Sequence, residues 1–78
     1  MKKMTCKQLG GACDKVFSAR TFDEIAEMSK QHGKEMFKKG DEEHLKAMEE
    51  MAELMTKPKK MNAWLRQKKL EFESLQED

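Results

Sequence analysis

An α+β fold in one small domain is what this sequence predicts: an N-terminal β-hairpin covered by a helix, a ββα unit over residues 1–40, followed by a two-helix hairpin over residues 41–78. Three observations carry the expectation. Apolar and polar residues alternate on either side of a Gly10-Gly11 pair. Thr21 and Glu24 have the spacing of a helix start signal. Downstream, Gly40 and Pro58 punctuate two further stretches with helical apolar spacing. With 78 residues there is room for one core only.

Lys2 to Gln8 places Met4 and Cys6 on one side of an extended segment, with Lys3, Thr5 and Lys7 on the other. Gly10-Gly11 offers a tight reversal. Asp14 to Ser18 then runs back as a second strand, with Cys13, Lys15 and Phe17 on one face. Two strands alone are marginal in water, so a helix has to cover them.

That helix is expected to start at Phe22, because Thr21 and Glu24 match the capping box, in which cap and third helical residue satisfy each other's amides. Phe22, Ile25, Ser29, His32 and Met36 form one stripe at three- and four-residue steps, with Ala26 at its edge. Gly33 weakens the helix by roughly 1 kcal/mol relative to alanine, and Gly40 is a natural left-handed stop. Asp41 can cap a second helix, with Glu42 and Glu43 at the positive end of its dipole. Its stripe is read as Leu45, Met48, Ala52 and Met55. Pro58 disfavours helical geometry at Lys57 and is itself pre-set for the first turn of a third helix. There Met61, Trp64, Leu65, Lys68, Phe72 and Leu75 recur as one face, down to the acidic tail Glu77-Asp78. Acids dominate the second helix and bases the third, so their unlike faces are expected to pair. Exposed pairs contribute about 0–1 kcal/mol each, which leaves Trp64 and Phe72 as the expected burial. On this reading Trp64→Ala costs roughly 3–5 kcal/mol.

Charged residues make up 40% of the chain and the mean hydropathy is -0.96, yet five aromatics and eight methionines sit at core-like spacings. Sixteen basic against fifteen acidic residues leave a net charge of +1, too balanced for the overall field to select nucleic acid or an anionic membrane. Two cysteines fall short of a disulfide scaffold, no secretory signal is legible behind Lys2 and Lys3, and no apolar run could cross a bilayer. A reducing cytoplasm is therefore expected, with both thiols free or metal-bound.

The stretch MTCKQLGGACDKVFSARTFDEIAEMSKQHG resembles a small, mostly bacterial domain-of-unknown-function family whose members carry two cysteines followed by a histidine. MNAWLRQKKLEFESL looks like the continuation in its longer members. The resemblance implies a compact ββα unit and an unassigned biochemical role. Such members often have a second histidine five positions after the first, where this chain has Phe37. There is a wider likeness to the two-Cys two-His zinc finger: Cys13 precedes Phe17 by four residues, and a helix delivers His32. The departures are six residues between the cysteines and Met36 in place of a ligand four after His32.

Cys6, Cys13 and His32 can be read as a zinc site, two thiolates from the hairpin and an imidazole from the helix cross-linking a domain too small to rely on its core. Zinc wants four ligands, and His44 is the candidate fourth if the turn near Gly40 folds it back. The competing reading, which the residues favour, makes the cysteines small buried hydrophobes and His32 a hydrogen-bonded core histidine. A redox pair would need a thiol at a helix N-terminus or a Cys-x-x-Cys spacing, and neither is present. A Cys13–His32 catalytic couple lacks an orienting group and an oxyanion site.

Met48, Met51, Met55 and Met61 read first as core, and otherwise as a pliable groove for a protein partner or as a homo-oligomer interface, Met51 lying off the strict stripe. The base-rich third helix, with Lys57, Lys59, Lys60, Arg66, Lys68 and Lys69 around Trp64, could contact phosphates. A solvated or acid-paired face is the favoured alternative. The chain thus reads as a cytoplasmic binding or interaction module without catalytic residues, not an enzyme, with Cys6, Cys13 and His32 as a structural or remnant zinc site. A nucleic-acid-binding accessory protein is the second reading, and a thiol-dependent enzyme the third.

Overall fold

The structure, a computed structural model, describes residues 1–77; Asp78, the end of the acidic tail, lies outside the described residues. It is an α+β fold in which an antiparallel hairpin of β1 (Lys2–Thr5) and β2 (Val16–Ala19) is followed by α1 (Phe22–Lys39), α2 (Glu42–Met55) and α3 (Pro58–Ser74). The strands pair Met4 with Phe17 and Lys2 with Ala19. This register turns Met4, Phe17 and Ala19 inward, while Lys3 and Val16 stay exposed, the period-two alternation of a sheet with one wet face.

The link between the strands is not the tight Gly-Gly reversal. β1 ends at Thr5, a single turn of 3-10 helix follows at Lys7–Leu9, and the chain returns through a broad loop to Val16. Cys13 and Lys15 therefore lie in the loop and not on a strand face. Backbone bonds hold this loop closed: the Cys6 amide donates to Lys15 O, the Lys7 amide to Cys13 O, and the Leu9 and Gly11 amides both to Cys6 O. Gly10 terminates the 3-10 turn at φ 92°, a left-handed position suited to glycine.

α1 starts where its signal places it. The Thr21 hydroxyl accepts from the Glu24 amide at 3.2 Å, and Gly40 ends the helix at φ 71°. Ile25 and His32 are the fully buried members of its stripe. Asp41 caps α2 by accepting from the His44 amide at 3.1 Å. The inward face of α2 differs from the expected stripe: His44 is buried and Met48, Met51 and Leu54 are half-buried, whereas Ala52 and Met55 are exposed. The stripe of apolar residues omits His44, whose burial turns the inward face toward Met51 and Leu54.

Met4, Cys6, Leu9, Phe17, Ala19, Ile25 and Phe72 form the core, with Cys13, Phe22 and Leu75 against it. The end of α3 thus reaches back to the hairpin, where Lys2 donates to Glu73 O at 2.8 Å and lies over the Phe72 ring. Phe72 is 3% exposed, but Trp64 is only half-buried, so the expected burden on Trp64 shifts to Phe72. Phe72→Ala is expected to cost roughly 3–5 kcal/mol in urea unfolding. Trp64→Ala is expected to cost about 1–2 kcal/mol, since half a side chain is removed from water. Equal costs would contradict this packing. In the charge-segregated half, Glu53–Lys57 spans the turn at 3.8 Å and Lys68–Glu71 lies within α3 at 3.2 Å, both local pairs.

Candidate metal centre

Three elements bring Cys6, Cys13, His32 and His44 together, with one ligand atom from each lying within 4.8 Å of all the others. The loop between the strands contributes both thiols, the middle of α1 contributes His32, and the first turn of α2 contributes His44. Cys6, His32 and His44 are buried and Cys13 is half-buried. The turn at Gly40 reverses the chain so that α2 begins beside α1, and this places His44 against His32. Phe37 is 64% exposed, so it does not substitute for a ligand by packing.

Two of the separations lie near the edges of a tetrahedral zinc shell. Cys13 Sγ lies 3.2 Å from His32 Nε2, and Cys6 Sγ lies 3.6 Å from His44 Nε2. Zinc–sulfur bonds of about 2.3 Å and zinc–nitrogen bonds of about 2.0–2.1 Å set S···N edges of about 3.6 Å and S···S edges of about 3.8 Å. The two imidazoles stand at 80° with centroids 5.3 Å apart. Two rings bound to one tetrahedral ion through Nε2 would be about 5 Å apart. The quartet's outer bound of 4.8 Å exceeds the ideal edges by about 1–1.5 Å, within reach of side-chain torsions.

Surrounding groups prepare these four for coordination. Asp41 Oδ2 lies 2.5 Å from His44 Nδ1, so that nitrogen carries the proton and donates it, leaving Nε2 as the lone pair aimed at the sulfurs. This carboxylate–histidine arrangement orients metal-binding imidazoles and makes them more basic. The Asp41 bond holds His44 above its ordinary value against the opposing effect of burial, and His44 in turn holds Asp41 low. Burial pushes the Cys6 thiol up, an effect only partly offset by the Cys13 and Ala12 amides that face its sulfur. Burial also raises Cys13, but the Lys15 amide, His44 and Cys6 together outweigh it and bring that thiol down. Burial, aided by the charge of His44, keeps His32 low and therefore neutral. His32 faces Cys13 through Nε2, while its Nδ1 is buried without a hydrogen-bond partner among the described residues, so it lacks the carboxylate that orients His44. A neutral imidazole, a thiol biased toward thiolate and amides aimed at sulfur are what a soft divalent cation needs.

Gly11 explains the closeness of the loop. A Cβ there would lie 2.1 Å from Cys6 Sγ and 3.0 Å from Cys6 O, so only a bare backbone can pass over the sulfur. Asp41 was legible as a cap but not as the partner of His44; the signal was their three-residue spacing across a helix start. The amides of Ala12 and Lys15 carry no residue-type signature.

Asp41→Asn is expected to weaken metal affinity about 10–100-fold in competition titrations, with the fold kept. In the metal-free protein the pair has a signed pH dependence. His44, held high, contributes stability below its unfolded value of about 6.5 that is lost as pH rises through its folded value; Asp41, held low, contributes above about 4. Chelated Asp41→Asn is thus expected to fall further below the chelated parent in thermal unfolding at pH 5.5 than at pH 9. An equal deficit at both values would contradict the assignment.

No protein-family model matches the chain, and no curated protein or solved structure matches it either. The class of site is defined by its own geometry: a Cys2His2 cluster that could bind a metal such as zinc. Among the described residues, no helix is long and apolar enough to cross a membrane.

Proposed function

We propose that Cys6, Cys13, His32 and His44 hold one structural zinc ion, and that the ion organises a small binding module. The supporting observation is that ligand atoms of two thiols and two imidazoles all lie within 4.8 Å of one another, with two S···N separations of 3.2 and 3.6 Å. Four protein ligands close a tetrahedral shell and leave no position for water or substrate, which favours a structural ion over a catalytic one. The ion ties the strand loop and α1 to α2, a helix whose buried side chain is His44. What the tie presents is the helical half, where Met48, Met51 and Met61 are only half-buried. Such thioether-rich surfaces adapt to a bound partner.

The test is zinc content by native mass spectrometry after purification without chelator. One equivalent in the parent, and much less in Cys6→Ser and His44→Ala, is expected. A parent protein without bound zinc that keeps its fold would overturn the reading.

A further inference from the structure

One face of the helical layer holds a groove of 760 Å³ between α1, α2 and α3. We propose that this groove binds one free long-chain carboxylate, its alkyl tail against the methionines and its head on the lysines of α1. The proposal rests on the reading of the chain as a zinc-organised binding module and names the ligand class that module takes.

Size is the first argument. Pockets for small ligands run about 300–1,000 Å³, and this one lies in that range. The walls are the second argument. Met48, Met51 and Met55 from α2 face Met61 and Trp64 from α3, a surface without fixed hydrogen-bonding demands that suits a flexible alkyl chain. Its floor is Gly10 and Gly11, the strand loop that the metal cluster holds in place.

Charge is the third argument and selects the head group. The fully charged side chains that line the groove are Lys30, Lys34 and Lys38, and among the described residues no carboxylate lines it. They recur every four residues, so they form a row along one rim of α1. None of the three has an ion-pair partner among the described residues, unlike Lys57 at the start of α3 and Lys68 within it. Three long, unpaired ammonium groups beside an apolar trough match an anion with a hydrocarbon tail. His44 also lines the groove, but its ring nitrogens are taken up by Asp41 and the thiol cluster.

Trp64 is the sole tryptophan and stands in the wall, so its emission reports occupancy directly. The experiment titrates zinc-loaded protein with dodecanoate below micelle-forming concentration, in parallel with octanoate and dodecyltrimethylammonium. Saturable binding at one equivalent is expected. Octanoate is expected to bind more weakly by about fourfold for each missing methylene that the groove buries. The cationic analogue is expected to bind at least tenfold more weakly than dodecanoate, and Lys34→Glu, at an exposed site, to lose at least tenfold for dodecanoate while keeping its zinc.

Equal binding of the two dodecyl compounds, or no binding by a protein that carries its zinc, would overturn the proposal and leave the metal assignment intact. So would a zinc-loaded dimer by sedimentation whose Trp64 does not respond, since a second copy then fills the groove. Partition onto anionic phospholipid vesicles without binding of monomeric dodecanoate would also overturn it. Dodecanoate binding with the stated charge preference in a protein that carries no metal would support the groove assignment while removing the zinc.

Discussion

Chelation of the zinc-loaded protein is expected to lower its melting temperature by roughly 15–30 °C. A ligand present at a thousand times its dissociation constant, and bound only by the folded state, contributes about 4 kcal/mol. In a domain of this length each kcal/mol moves the midpoint by about 4–8 °C. The sensitivity follows from how little else holds the chain: among the described residues seven apolar ones are buried, and within α2 and α3 the buried side chains are His44 and Phe72. Small domains with cores of this size generally need a staple. Circular dichroism melts with and without chelator, followed by re-addition of zinc, measure the effect. A midpoint that does not move on chelation would mean that apolar packing holds the four side chains together by itself.

Gly11→Ala is expected to abolish stoichiometric zinc binding and to destabilise the fold by several kcal/mol, on the order of an overpacked core site or more. The added methyl would sit 2.1 Å from Cys6 Sγ, closer than any two such atoms can approach, and the nearby Cys6 carbonyl blocks the alternative shift. Gly40→Ala is the control. Nothing lies within 4 Å of its Cβ position, and the cost there comes from the left-handed φ of 71° alone, about 1 kcal/mol. Zinc titration and urea unfolding of both variants separate the two causes. Zinc lost equally from both would show that the site fails through general loosening. Zinc retained in Gly11→Ala would show that the loop can move off the sulfur.

Local signals carried the helices. Thr21 with Glu24, Gly40, Asp41 and Pro58 are each read within a few residues of where they act, and α1 begins at Phe22 as the capping box requires. The strand loop was not legible, because Gly10-Gly11 has the composition of a tight turn and nothing local reports that Gly11 passes over a sulfur. Three of the four clustered side chains stood out by residue type and order. His44 depended on where α2 travels after Gly40, a matter of tertiary packing that no spacing encodes. The face of α2 differs for the same reason: the stripe Leu45, Met48, Ala52 and Met55 follows apolar spacing alone, whereas the packed face runs through His44, Met48, Met51 and Leu54, and Met51 lines the groove that the methionine reading offered as its alternative. Trp64 was assigned to the core on size and periodicity, although its place is in that groove wall.

X-ray absorption at the zinc edge tests the central claim most directly, since it counts the atoms bound to the metal. Two sulfurs at about 2.3 Å and two imidazole nitrogens at about 2.0–2.1 Å are expected, with one nitrogen lost in His44→Ala and one sulfur lost in Cys13→Ser. A shell of nitrogen and oxygen alone, or one unchanged by those substitutions, would contradict the account.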